Sequence, residues 1–339
     1  MGCGRSRITT AGRSLVRGSC AVWSPPNYCY CVVSQSPTLI VSCTDRKALA
    51  ARSRLQVRTF DRGRTVDRAA EMWAERMTSA LAGGDTRPLR DLYRGEYWSV
   101  ASSLESHAHV WVASAGLGLA QLGAPGTGYG ATFAPNVEDS ITRFSAETDN
   151  PGLEWWDGLR RGGLGHRRWR SQMREVVLVA VSEPYQRALT ADLLRLAKDG
   201  HKVVVMSGSP QIGSLRNVPD ITHVETGQWL RMMLGGSTPC VGVRFAAHVL
   251  STGAWRTPER VEEVLSSLYG SYRRGSAGKL PVFDREPRDD AQVKKWIRDN
   301  LRNSSIGRSK SSYLTEFRAH GFACEQKRFG RLFDQVVKG

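Results

Sequence analysis

Short apolar runs alternate with amphipathic stretches along most of this chain, and turn residues separate the two. Thr38 to Cys43, Val110 to Ala113, Val176 to Val181 and Lys202 to Met206 are runs of four to six residues, the pattern of strands buried on both faces. Between them the apolar positions recur at helical spacing. Val66 to Leu81 places Ala69, Met72, Trp73 and Met77 on one side and stops at Gly83-Gly84, a helix terminus. Pro88 to Ser106 reads as a helix or helix pair, and Pro151 to Arg161 as a helix whose Trp155-Trp156 packs it onto a sheet. Pro184 to Lys198 is amphipathic and lies between two strands. That β-α-β run predicts parallel strands joined by crossover helices, hence an α/β core with a mainly parallel sheet. Val218 to Glu225 reads as a further strand, and Val241 to Leu250 and Pro258 to Arg273 as closing helices. A short helix is expected to begin at Pro135 or Asn136 and run through Ala146, which places Asp139 in its first turn.

The pattern changes after residue 274. Residues 275–288 are rich in Gly, Pro and charge and read as a linker. Residues 289–339 hold three helical stretches, Asp290 to Leu301, Ser311 to Ala319 and Cys324 to Val337, the last carrying Lys327, Arg328 and Arg331 beside Phe329, Leu332 and Phe333. Helix, glycine turn and basic helix resemble a helix-turn-helix or winged-helix core, with a plain three-helix bundle as the alternative. Residues 37–274 form the expected α/β domain, and residues 1–36 read as a disordered basic extension.

Charge narrows the partner. The chain carries +16, and four segments hold the excess: residues 160–174 (+6), 285–339 (+6), 45–68 (+5) and 1–36 (+4), so the rest is net acidic by five. Such regional positive charge points to a polyanion, and nucleic acid is the expected partner. No apolar run approaches the roughly 20 residues of a membrane-spanning helix, so no membrane partner is expected. Four of the seven cysteines lie in the first 31 residues; this is no disulfide framework, and a cytoplasmic location is expected.

The residues exclude several chemistries. There is no HExxH pair, no Cys-x-x-Cys pair and no Walker loop, and Gln121 stands where a dinucleotide-binding GxGxxG needs its third glycine. No metal and no cofactor are expected. What remains is a set of strand ends that one edge of a parallel sheet would gather: Ser42, Cys43, Asp45 and Lys47 after the first strand, Ser114 and Gly116 after the second, and Ser207, Ser209 and Pro210 after a later one. Asp45 or Asp139 can polarise a water or stabilise a cationic sugar as a glycosidic bond breaks. Tyr129 or Phe133 can stack on a base taken out of its helix while Asn136 reads its edge, with Ser42, Cys43, Ser114 and Gly116 lining the same pocket. Lys47, the amides around Ser207 and Ser209, Arg167, Arg168 and Arg170, and Lys327, Arg328 and Arg331 are the expected contacts to a nucleic-acid backbone. Each has a structural alternative: Phe133 as a core plug, Asn136 as a helix cap, Asp45 as a turn former, Lys47 as a solvated charge.

The motifs strand-Ser42-Cys43-x-x-x-Lys47, Tyr93-x-Gly95-x-x-Trp98, strand-Ser114-Ala115-x-x-Gly118-Leu119 and Tyr129 with Thr132 resemble an uncharacterised bacterial family. That family is related in pattern to the peroxide-stress DNA-binding protein YaaA and to domains accompanying deazaguanine and tRNA-guanine transglycosylase-like enzymes. The resemblance covers residues 38–145 and implies a three-layer α/β/α sandwich of the uracil-DNA glycosylase type. Family members often carry Asp directly after the loop tyrosine, where this chain has Gly130, which turns the expected carboxylate role to Asp45 or Asp139. The chain is also similar in kind to antiviral glycosylases that remove glucosylated hydroxymethylcytosine from phage DNA. The implied function is a DNA glycosylase acting on modified phage double-stranded DNA. The alternatives are a base-exchanging or base-modifying enzyme and a non-catalytic YaaA-like DNA-binding protein.

Overall fold

The computed structural model describes residues 36–144, 146–147, 149–275, 285–301 and 309–338, without the side chains of Lys327 and Lys338. The basic extension through residue 35 and linker residues 276–284 lie outside the described residues.

Six strands form the central sheet: β1 (Thr38–Ser42), β2 (His109–Ser114), β3 (Gly118–Gln121), β4 (Val176–Ala180), β5 (Lys202–Ser207) and β6 (Ile221–Glu225). Their spatial order is β3-β2-β1-β4-β5-β6, and every neighbouring pair is parallel except the β2–β3 hairpin. Ile40 lies opposite both Trp111 and Val179, and every residue of β1 and β4 is buried. Strands this apolar require cover on both faces. Helices α1 (Val66–Ala82), α3 (Pro151–Arg161) and α4 (Glu183–Lys198) pack side by side in one group. Helices α2 (Glu96–Ser103), α5 (Val241–Ser251) and α6 (Pro258–Gly275) belong to a second group, in which α2 packs on α5 and both α5 and α6 pack on sheet strands.

Tryptophans join the first group to the sheet. The indole N–H of Trp73 donates to Gly116 O and that of Trp155 to Ala115 O, both at 2.8 Å, so α1 and α3 hold the turn between β2 and β3. Those buried carbonyls would otherwise stay unpaired at a cost.

Single residues set the course of the chain at four places. After β2, Gly118, with φ +73°, lets the chain reverse at once into β3. The helix expected from residue 135 is absent, because Asn136 takes φ +59°, outside the right-handed helical region; only a single turn at Ile141–Arg143 follows. The stretch Pro88 to Ser106 divides at Gly95, φ +107°, which precedes α2. The strand expected from Val218 starts at Ile221, after turn residues Asn217 and Asp220 with φ +58° and +63°.

The C-terminal segment forms α7 (Asp290–Asn300), α8 (Lys310–Ala319) and α9 (Gln326–Lys338) around its own apolar cluster of Val293, Ile297, Leu314, Phe317, Phe329 and Leu332. Asp289 and Gln292 cap α7 reciprocally.

Candidate functional site

The chain leaves the carboxyl end of β1 toward β2 on one side and resumes at β4 on the other. This reversal creates a topological switch point, where ligands of parallel α/β sheets bind beyond the strand ends. A cavity of about 500 Å³ lies there. Ser42 to Asp45 border it from β1, Ala180 to Glu183 from β4, Met206 to Ser209 from β5, and Thr226 and Gln228 from the segment after β6. The sheet therefore gathers Ser42, Cys43, Asp45, Ser207 and Ser209 around one space.

Tyr97, from α2, ties the two strands at the switch point. Ser42 N and Oγ donate to its hydroxyl at 3.1 and 3.2 Å, and the hydroxyl donates to Ala180 O at 2.7 Å. Burial pushes the Tyr97 phenol up to about 12. Its folded-state pKa lies above the unfolded value of about 10, so its contribution to stability is intact below pH 10 and lost as pH rises through about 12. Tyr97→Phe is expected to make chemical denaturation midpoints less sensitive to pH across that window, and an unchanged alkaline slope would contradict the assignment.

Behind Cys43 lies a polar cluster. Its Sγ is 3.0 Å from the Tyr185 hydroxyl and accepts from the Tyr129 hydroxyl at 3.4 Å. The Tyr129 hydroxyl in turn lies 2.8 Å from Ser114 Oγ and 2.9 Å from the Tyr93 hydroxyl. Burial raises Tyr93, Tyr129 and Tyr185 well above the usual phenol range, keeping all three neutral hydrogen-bonding groups. Lys47 closes the cluster: Nζ sits 4.0 Å from the centre of the Tyr129 ring and donates to Thr44 O and Asp45 O. Burial lowers its affinity for a proton, while Cys43, Asp45 and Asp139 oppose that shift.

A second cavity of about 990 Å³ adjoins the first. Asp45 and Thr132 border both. The second is lined further by Arg58, Asn136, Glu138 and Asp139 and by Glu325, Arg328 and Arg331 of the C-terminal segment. Asp139, with a side chain 19% exposed, accepts from Arg58 N at 3.1 Å and pairs with its guanidinium at 3.5 Å. A Cβ on Gly130 would collide with this carboxylate. The space beside Gly130 is thus filled by the carboxylate of Asp139, nine positions later in the chain.

Other candidates fall elsewhere. Tyr129, Phe133, Ser114 and Gly116 are buried core. Phe133 packs against Tyr185 and Trp156 and the Tyr129 ring covers Gly116, so neither aromatic face is open to a base. Lys47 is held inward, not offered to a phosphate. Arg170 pairs with Asp199 just before β5, and Arg174 N donates to Thr38 Oγ1 at the start of β1. Arg170 therefore belongs to the amino edge of the sheet, away from the cavity, while Arg167 borders a separate small cavity beside β3 with Gly118, Leu119 and Arg160. Arg328 and Arg331 border the second cavity but also pair with Asp290; the side chain of Lys327 lies outside the described residues.

Sequence reasoning passed over Tyr97, Tyr185, Glu183 and Thr226. Tyr97 sits inside the Tyr93-to-Trp98 motif, and Glu183 and Tyr185 open the helix after the strand expected at Val176 to Val181, so counting four residues beyond that strand end reaches both. Thr226 had no such marker. Among the described residues, no group of three or more His, Cys, Asp or Glu side chains is placed to hold a metal ion, and no helix is long and apolar enough to cross a membrane. No family model, curated protein or solved structure matches the chain.

Proposed function

We propose that this protein hydrolyses the N-glycosidic bond of a modified base in DNA, holding the flipped base and its sugar in the cavity at the switch point. The observation that carries this reading is the position of Asp45. It is exposed, follows an inner strand of the sheet, and borders both the nucleoside-sized cavity and the wider one beside it. A carboxylate there takes a proton from water as its oxygen attacks the anomeric carbon. The carbon–nitrogen bond breaks, its electron pair leaves with the base, the base nitrogen takes a proton from solvent water, and the Asp45 carboxyl gives its proton back to solvent.

The finer fold, a sandwich of the uracil-DNA glycosylase type, is part of the proposal and is supported by the mainly parallel sheet with apolar strands covered on both faces. Phosphate contacts at the mouth fall to Arg46 and Arg94, exposed in the loops beside Thr44. The second cavity is less suited to that role, since Asp45, Glu138, Asp139 and Glu325 outnumber Arg58, Arg328 and Arg331. On this reading the substrate is phage double-stranded DNA with glucosylated hydroxymethylcytosine, and the role is antiviral.

Abasic-site labelling of such DNA, beside unmodified DNA, after incubation with the purified protein tests the proposal. Labelling confined to modified DNA is expected. No labelling across several modified phage DNAs would overturn it, and incorporation of labelled free base without a lasting abasic site would assign base exchange instead.

A further inference from the structure

An aromatic surface stands beside the cavity. Met232, Met233 and Tyr269 are three of the six exposed large hydrophobic side chains among the described residues, and they fall on two elements that pack together, the short helix Leu230–Leu234 and α6. The Trp229 ring, just before the short helix, is centred 5.1 Å from that of Tyr269 and 5.5 Å from that of Tyr272. The Tyr272 plane is tilted 34° from the indole and 30° from Tyr269, so the three rings make one continuous surface. Tyr269 is 46% exposed, and Val261 is the one residue of α6 that is fully buried.

Charge and position give this surface a partner. Arg273 follows Tyr269 by four residues and so shares its face of α6, and Arg231 sits on the short helix two residues after Trp229. Neither pairs with a carboxylate among the described residues. The acids of α6, Glu259, Glu262 and Glu263, precede Tyr269 by six residues or more. An apolar protein partner would bury both guanidiniums without acceptors, which is costly, whereas a nucleic-acid strand offers π-faces to the rings and phosphates to the arginines. The surface also continues from the rim of the cavity. Gln228 and Thr238 border that cavity, the Trp229 ring folds back against Gly227, and Arg231 donates to Thr238 Oγ1.

We propose that Trp229, Tyr269 and Tyr272 form a stacking platform for unpaired DNA bases, with Arg231 and Arg273 taking the phosphates between them. This deepens the hydrolase reading and rests on it for naming DNA as the strand and for placing the stacked bases beside the flipped one. Unpaired bases arise both in a duplex opened around a flipped nucleotide and in a free single strand.

Fluorescence anisotropy titration of the full-length protein separates these. The probes are a short oligothymidylate, a perfect duplex, and the same duplex with a central unpaired bubble. The single strand and the bubble are expected to bind more tightly than the perfect duplex. Tyr269→Ala is expected to weaken both about fivefold or more, the effect of one lost stacking contact, at an unchanged melting temperature because the ring is largely in solvent. Tyr269→Phe should keep the affinity and Tyr269→Leu should not, since only the first keeps an aromatic face. Arg273→Ala is expected to flatten the slope of log affinity against log salt by about 0.7. Ultraviolet cross-linking of a strand carrying 5-iododeoxyuridine should join it to Trp229, Tyr269 or Tyr272. A bubble that outbinds the single strand assigns an opened duplex, and the reverse assigns a free strand.

Unchanged affinity in Tyr269→Ala, wild-type binding by Tyr269→Leu, a perfect duplex held as tightly as the single strand, or cross-links confined to other residues would overturn the platform. Base release accompanied by strand binding that is indifferent to Tyr269 would leave the hydrolase reading standing without the platform. Ring-dependent strand binding without base release from any substrate would do the opposite.

Discussion

Asp45→Asn is expected to lower base release by about 10²–10⁴-fold, the range for a lost general base, with the melting temperature unchanged. An amide cannot take the proton that leaves the attacking water. The side chain is exposed on a turn after β1, so its replacement by an isosteric group leaves the buried polar cluster in place. One further consequence follows at Lys47, whose protonated form Asp45 supports. The variant should shift the proton affinity of that amine further downward, visible as a lower-pH onset of lysine-directed acylation. Asp139→Asn is the informative comparison. Asparagine keeps an oxygen for Arg58 N but loses the ion pair, so its expected effect is a looser turn at about 1 kcal/mol and a much smaller change in rate. If Asp139→Asn abolishes base release and Asp45→Asn does not, the catalytic assignment passes to Asp139.

Asp192→Ala should cost about 1.5–3 kcal/mol of folding stability, the range for losing charge-assisted hydrogen bonds to a buried carboxylate. The Asp192 side chain is 4% exposed and sits on α4 facing α3. It accepts from Trp156 Nε1 at 2.7 Å, Arg160 at 2.7 Å and Arg195 at 2.9 Å. Alanine would leave a buried indole N–H without its acceptor and Arg160 with only Asp157 as an acidic partner. Asp192→Asn should recover part of the loss, since an amide oxygen still meets the indole. Urea unfolding measures both. A cost below about 1 kcal/mol for alanine would mean that the cluster behaves as a surface ion pair and that apolar packing alone joins α3 to α4.

Both effects sit on features with different visibility in the chain. Asp45 was legible as a polar residue directly after an apolar strand. Asp192 was not, because nothing in an amphipathic helix says which of its carboxylates will face another helix. The same division runs through the site. Ser42, Cys43, Ser207 and Ser209 were readable because strand ends are readable and parallel strands share an edge. Tyr129 and Phe133 misled, since an aromatic residue in a glycine-rich stretch looks the same whether it stacks on a ligand or fills the core. Their roles depend on Trp73, Trp155, Trp156 and Tyr185, which arrive from three helices distant in sequence.

The amino-acid sequence by itself determined the apolar strands, the crossover helices between them, the separate C-terminal helices and the excess of positive charge, because period and composition are local properties of a chain. Tertiary structure alone decided the strand order that makes β1 and β4 neighbours at a switch point. It also decided the gathering of the Tyr129 and Tyr185 hydroxyls on Cys43, the inward turn of Lys47 onto Tyr129, and the removal of Arg170 to the opposite edge. These are long-range pairings, selected by how whole faces bury against one another. Asp139 shows the distinction in one residue: its carboxylate fills the space beside Gly130 through a loop closure that no local pattern encodes.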